Sequence, residues 1–434
     1  MSNTDIFGKV PESSKIPTSP ETPSSGAPRL LRPDRHQMRF VPTSLDALVE
    51  EDHRVRGVWG IVEKLDLTGF EDRIAARGQT AGRAAIDPRI LVGLWLYGTS
   101  EGIGSARELA RLCEEHNAYR WICGGVGVNH HTLSDFRVGH GEALDALMTQ
   151  VLAVLTHEGM VDLKRVAHDG MKIRASAGAA SFRRQPSLEK CVEEARQHVE
   201  EVKGENQEGD VSARQAARRE SVAQERLQRV EKALSELPKV RDGKKLKDQP
   251  KSRASTTDPE ARVMKMGDGG YRPAYNAQFA TDTKNRVIVG VRVTNSGGDY
   301  GQMPPMIQNI QKRNGRSVEE YLVDGGFAKR EAIQEVANQG ITVYSPVQPS
   351  KKDGIDPHEP KPGDSPEVVA WRKRMATDVA KEIYKERAAT AETTNADLRI
   401  HRALDRLQVR TLPKVLCVVL WSALAYNVLR LMAP

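Results

Sequence analysis

The chain has 434 residues, 38% hydrophobic and 28% charged, enough apolar material for two or three domains with real cores; a wholly disordered or fibrous chain is excluded. Its 65 Lys and Arg exceed its 58 Asp and Glu, leaving +7, a modest excess that supports a polyanionic partner only where the basic residues cluster. Four cysteines, Cys113, Cys123, Cys191 and Cys417, form no Cys-x-x-Cys pair. Their spacings to His116, His130 and His131 do not match a zinc site, so buried thiols in a reducing compartment are expected.

Residues 1–34 are polar, with Pro11, Pro17, Pro20, Pro23, Pro28 and Pro33 spread through them, and read as a disordered tail without an apolar export segment. The pattern over 35–158 is helical. Asp87-Pro88 caps one helix, which Gly98 is expected to stop, and Ser105 to Glu108 form a capping box that opens another. After the break at Gly124-Gly125-Val126-Gly127, His131 to Arg137 lead into a longer amphipathic helix through Leu144, Leu147, Val151 and Leu155. From 159 to 434 the chain reads as a second domain, with a helical and basic insertion at about 185–265. A short strand, Arg165–Gly170, is expected to end at Asp169. Residues 187–237 read as long charged helices, and 239–253 form a basic run containing Lys244, Lys245 and Lys247. A hairpin follows, Tyr275–Ala280 and Arg286–Thr294 joined by Asp282–Asn285. Then come a helix Met303–Asn314, a strand 321–324, a helix 328–339, a strand Ile341–Ser345, a polar loop 347–366 and a helical remainder. Val415–Met432 is the most apolar run. Ser422, Asn427 and Arg430 interrupt it, so it reads as a buried helix rather than a membrane span, and a cytoplasmic protein is expected. The order of elements predicts an α/β mixed sheet with helices packed on it.

Three carboxylates stand out. Asp169 and Asp324 sit at the ends of apolar β-like runs, and Glu392 lies in a polar helical stretch. Two strand-end aspartates and a helical glutamate are the ligand set that a two-metal phosphoryl-transfer site needs, because Mg²⁺ prefers hard oxygen donors. Blander readings exist for each: Asp169-Gly170 and Asp324-Gly325 are also turn dipeptides, and Glu392 is also a solvated helix residue. On an unbroken helix Tyr384, Asn395, Arg399 and Glu392 fall within about 80° of one another, a face able to serve a metal ion and a phosphate together. The basic run is either a solvated loop or a phosphate contact. His168 reads as structural.

The residues resemble a known family. HDGMKIR at 168–174 is similar to the Asp-Gly-x-Lys segment at the first catalytic aspartate of bacterial insertion-sequence transposases of the DDE type. ASTTDPEARVMKMGDGGYRPAYNAQ at 254–278 resembles a segment of one large branch, and YLVDGGFAKRE at 321–331 resembles the block holding the second aspartate. YKERAATAETTNADLRIHRAL, from Tyr384, resembles the signature Tyr-x-x-Arg…Glu…Lys, with Tyr384, Arg387 and Glu392 in the first three places and Arg399 where many relatives have Lys. Four residues separate Arg387 from Glu392, where the better-known form has three. Residues 86–140, with HHTLSDFRVGH, resemble the family's N-terminal domain.

The resemblance implies a ribonuclease-H-like catalytic domain after a helical DNA-binding domain. Asp169, Asp324 and Glu392 would bind two Mg²⁺, with Mn²⁺ as a substitute. Tyr384, Arg387, Asn395, Arg399, Lys172, Lys244, Lys245, Lys247 and Arg137 would face DNA. The implied reaction is nicking of element ends and joining of 3′-hydroxyls to target DNA. The implied partners are double-stranded terminal inverted repeats and target DNA, held by a homodimer, with a nucleoid-associated location and no membrane. The alternative is a catalytically inactive transposon relative that binds DNA as a regulator.

Overall fold

A computed structural model describes residues 44–78, 84–208, 212–349 and 356–433; the proline-rich stretch 1–34 lies outside them. The chain begins with helices α1 (Arg54–Val62), α2 (Thr68–Glu71), α3 (Pro88–Ser100), α4 (Ala106–Glu115), α5 (Asn117–Cys123), α6 (His130–Gly139) and α7 (Gly141–His157). Asp87 and Ser105 cap α3 and α4 with their side chains, as the sequence predicts. Gly98 does not stop α3, which runs on to Ser100. A Cβ at Gly98 would lie 3.0 Å from Leu109 Cδ1, so this glycine lets α4 approach closely. The expected long helix after residue 130 is two helices, parted at His140.

Strand β1 (Arg165–Arg174) opens the sheet, followed by a two-stranded ladder of β2 (Phe182–Arg183) and β3 (Ala254–Ser255). Between β2 and β3, α8 (Gln185–Glu208) and α9 (Ala213–Asp242) pack against each other. They share only small apolar clusters, Leu188 with Ala233 and Leu237, and Val199 with Val202 and Ala223. Cross-helix ion pairs such as Arg196–Glu231 at 2.9 Å join their polar sides.

The remaining strands are β4 (Arg262–Lys265), β5 (Tyr271–Asp282), β6 (Ile288–Thr294), β7 (Glu320–Leu322) and β8 (Thr342–Tyr344). β5 runs antiparallel to β1, β4 and β6, whereas β7 and β8 run parallel to β1, giving the order β4-β5-β1-β7-β8 with β6 also on β5. α10 (Met303–Asn314) and α11 (Arg330–Ala337) make the crossovers into β7 and β8. α10 lies close against β6: a Cβ at Gly290 would be 2.7 Å from Met306 Sδ.

The chain ends with α12 (Pro366–Ala376), α13 (Asp378–Arg387), α14 (Thr393–His401) and α15 (Leu412–Met432). By length and composition α15 could cross a membrane, yet Cys417 to Val428 are all buried. It is apolar all round because it is enclosed, packing on α3, α6, α7 and β6. Asn427 inside it bonds both the Ile288 N–H (3.0 Å) and the Ile288 carbonyl (2.8 Å), which docks the helix on the edge strand. The helices before residue 158 and the sheet thereby share one apolar core, running from Val49 to Val428.

Candidate active site

β1 is central in the sheet, and it does not end at Asp169 as expected. Gly170 makes no turn because β5 pairs with β1 along its whole length, with Asp169 opposite Phe279 and Gly170 opposite Gln278. β7 lies parallel on the other side, and its last rung joins Ala167 to Leu322. Asp169 and Asp324 are each two residues beyond that rung, on strands spaced about 4.8 Å apart. Asp324 accepts the Gly326 N–H at 2.8 Å, a turn that leaves its carboxylate partly exposed. Asp169 is more enclosed, with Oδ1 accepting the Gly170 N–H at 2.9 Å and Oδ2 accepting Asn395 Nδ2 at 3.2 Å.

Glu392 arrives by a different device. α13 passes into α14 through a π-helical turn, Ala388–Glu392. Arg387 and Glu392 are five residues apart, which on an α-helix would turn them about 140° from each other. A π turn, closed by i→i+5 hydrogen bonds, is wider and brings them nearer to one face. The longer Arg387–Glu392 spacing is thus absorbed as one extra residue in the turn. The small residues Thr390 and Ala391 are buried where the turn meets β1 and β5, and Thr394 Oγ1 satisfies the Thr390 carbonyl at 2.9 Å.

The guanidinium of Arg387 joins the three acids. Nη2 lies 3.4 Å from Asp169 Oδ1 and 4.0 Å from Asp324 Oδ2, and Nη1 lies 3.7 Å from Glu392 Oε1. Arg387 is thus the hub of the carboxylates, where the sequence reading had it facing DNA. Burial pushes Asp169 up to about 6; Arg387 opposes the shift, and the Asp324 and Asp299 carboxylates add to it. Tyr384 is half-buried beside the cluster, and burial holds its hydroxyl above the usual tyrosine range.

The donor set is three carboxylates, the chemistry of a hard, oxygen-seeking cation. Among the described residues no three Asp, Glu, His or Cys side chains converge on one point as they stand. The acids converge instead on a cationic group, and a centre that already gathers positive charge fits a divalent cation.

The other expected residues are scattered. Asn395 touches Asp169. Arg399 is exposed on α14, and half-buried Lys172 faces Asn276 across the β1–β5 ladder. Lys244 is half-buried, and Lys245 and Lys247 are exposed, in the segment after α9. Arg137 requires a correction: it is 7% exposed, donates to the Gly104 carbonyl at 2.6 Å and stacks 4.6 Å over Trp95, so it supports the helical core and cannot reach a phosphate. Of the cysteines, Cys113, Cys123 and Cys417 are buried and Cys191 is half-buried. His168 is fully buried and held neutral, its value lowered to about 3 by burial, with Nδ1 2.8 Å from the Tyr321 hydroxyl. Sequence reasoning missed Asn276, Gln278 and Asp299, which meet beside Gly170. Their only trace was a pair of polar residues alternating within an apolar strand.

Two family matches give this arrangement its class. Residues 43–138 match the family described as Transposase domain (DUF772), and residues 242–428 match the Transposase DDE domain, a span that holds Asp324 and Glu392 while Asp169 precedes it. No curated protein and no solved structure gives a significant match. The chain belongs to the insertion-sequence transposases of the DDE type, DNA-transposing enzymes that use divalent metal ions.

Proposed function

We propose that the chain nicks the ends of its own element and joins the 3′-hydroxyls to target DNA by two-metal phosphoryl transfer, with Asp169, Asp324 and Glu392 as the ligands. The observation that carries this is the convergence of three carboxylates, distant in sequence, on the single guanidinium of Arg387. Two Mg²⁺, or Mn²⁺ in their place, would activate the attacking oxygen and stabilise the leaving one. Asn395 orients the Asp169 carboxylate, and the β1–β7 register sets its separation from Asp324. Arg387 exchanges carboxylates for a DNA phosphate, which its fork-shaped donors suit. Three antiparallel strands continued by two parallel ones, with Asp169 on the central strand, support a ribonuclease-H-like core from 159 to 434, interrupted by the insertion at about 185–265.

The helices of 35–158 read the terminal repeats, and Lys172, Lys244, Lys245, Lys247 and Arg399 meet phosphates. Tyr384 frames the site and is not the nucleophile, since the carboxylates would then lack a role. Holding two element ends at once calls for a homodimer on DNA, in the cytoplasm at the nucleoid. The test is incubation with the element's own flanking repeats and Mg²⁺, scoring new 3′-hydroxyl ends. Cleavage that needs Mg²⁺ and vanishes in Asp324→Ala is expected. Salt-sensitive DNA binding without any cleavage would favour the regulator instead, and cutting without end preference or joining would indicate a general nuclease.

A further inference from the structure

We propose that the β4–β5 hairpin edge of the sheet is a second DNA-contact surface, which grips the duplex about eight base pairs from the bond held at Asp169. The proposal rests on reading Asp169, Asp324 and Glu392 as the site that cleaves DNA, and it adds residues which that site does not use.

β4 is the end strand of the sheet. Across its ladder with β5, Val263 is opposite Pro273 and Lys265 is opposite Tyr271, and cross-strand partners point to the same side. Val263 is 50% and Tyr271 71% exposed, and Lys265 is exposed beside them. The turn between the strands is fixed. The Met266 N–H donates to the Gly270 carbonyl at 2.8 Å, Gly269 takes φ 81°, and Asp268 accepts the Gly270 N–H at 3.0 Å and Arg272 Nη1 at 2.8 Å. A ring and an ammonium are thus held out together, at little further cost in entropy on binding. A cavity of about 780 Å³ adjoins the start of β4, lined by Val263, the end of α9, the basic segment after it and residues 295–297.

Charge complementarity selects the partner. The carboxylates here are already paired: Glu236 with Arg262 at 2.6 Å and Lys239 at 2.8 Å, Glu260 with Lys232 at 3.7 Å, and Asp268 with Arg272 at 2.7 Å. Lys244 and Arg253 in the cavity and Lys265 on the hairpin make no ion pair among the described residues. Unpaired cations beside an exposed ring suit a polyanion. A second copy of the chain is a poor occupant, because β4 is short and carries Arg262 and Lys265 at its ends, which discourages pairing between strand edges. The register gives the place on the DNA. Asp169 is opposite Phe279, and odd-numbered residues of β5 from Phe279 back to Tyr271 alternate onto one side. Tyr271 is therefore on the same side of the sheet as Asp169, about 27 Å further along β5. Between them β5 is buried, and Tyr271 is where this side of the strand next meets solvent. At about 3.4 Å per base pair, a duplex running along the strand covers that span in about eight base pairs.

The test is fluorescence anisotropy of the full chain on element-end duplexes trimmed from either side of the cleaved bond, with Mg²⁺ added afterwards to score cleavage. Arg253, Lys265 and Tyr271 are exposed, so their variants fold. Lys265→Gln combined with Arg253→Gln should flatten the slope of log K against log salt by about two and weaken binding to the full-length duplex by about tenfold or more. Tyr271→Ala should weaken binding without changing that slope, since it removes no charge. Lys265→Arg keeps the charge and should keep the affinity. On a duplex trimmed to about five base pairs on the contacted side, each variant should bind like wild type, because the contact is already gone. Variants that match wild type on every duplex, while wild type cleaves, would refute the surface and leave the active site standing. Losses that persist on the trimmed duplexes would refute the placement. Unchanged DNA binding with loss of a dimer in sedimentation would make this edge a contact between copies and overturn the proposal. A wild type that neither binds nor cleaves the duplex would sink the reading on which the proposal rests.

Discussion

Asp169→Asn should make the protein more stable at neutral pH while abolishing its chemistry. The Asp169 carboxyl rises from 3.8 to about 6 on folding, chiefly because it is buried, and its side chain is only 17% exposed. A raised folded value means that the native state holds the proton more tightly than the unfolded chain does. Stability from this group is therefore full below about pH 4 and is lost as pH climbs through about 6. At about 1.36 kcal/mol per unit, the ionised carboxylate costs the native state about 3 kcal/mol at pH 7.5 and about half of that at pH 5. Asparagine is nearly the same shape and carries no charge. Urea unfolding in EDTA should show the variant more stable than wild type by up to about 3 kcal/mol at pH 7.5, with the advantage roughly halved at pH 5. Saturating Mg²⁺ should reverse the order, because only the ionised wild type gains binding energy. A variant less stable than wild type at pH 7.5, or an advantage that does not shrink with acid, would refute the reasoning.

Arg387→Gln removes the cation that competes for the three carboxylates. Mn²⁺ affinity measured without DNA should rise by at least about threefold, while strand cleavage falls for want of the phosphate contact. Deleting Ala389 should convert the π turn to a continuous α-helix with both flanks still facing as before, so circular dichroism and cleavage survive. Inserting a second residue there should swing Glu392 by about 100° and lower cleavage by about two orders of magnitude. Replacing Lys244, Lys245 and Lys247 with alanine should flatten the slope of log K against log salt by about one per lost phosphate contact. Arg137→Met should leave that slope unchanged and lower the unfolding temperature, because it removes a buried hydrogen bond and a stacked cation.

Local signals carried much of the fold. Met303–Asn314 reads as a helix ended by Gly315, and the structure has that helix and a glycine at φ 65° after it. The hairpin through Asp282–Asn285 is likewise present, with β5 longer than its alternation implies. Failures arose where tertiary contacts overrode a local signal. Asp169-Gly170 is a turn dipeptide by chemistry, but pairing with β5 holds it in mid-strand. Gly98 is a helix breaker by propensity, and α4 needs its bare surface. β4, in a short charged stretch, has no periodicity to find.

The site divides in the same way. The acids are legible as acids, but only the β1–β7 register sets Asp169 beside Asp324. The π turn left one trace in the sequence, an extra residue between Arg387 and Glu392. Arg137 could not be told from a surface arginine until Trp95 was found beneath it. Asp299 is invisible without coordinates, because its partners come from another strand.

The most direct measurement is anomalous diffraction from crystals of the full chain soaked in Mn²⁺. Peaks bounded by the carboxylates of Asp169, Asp324 and Glu392, with Arg387 turned away from them, are the predicted result. Manganese bound elsewhere, with Arg387 still bridging the three acids at saturating concentration, would contradict the account.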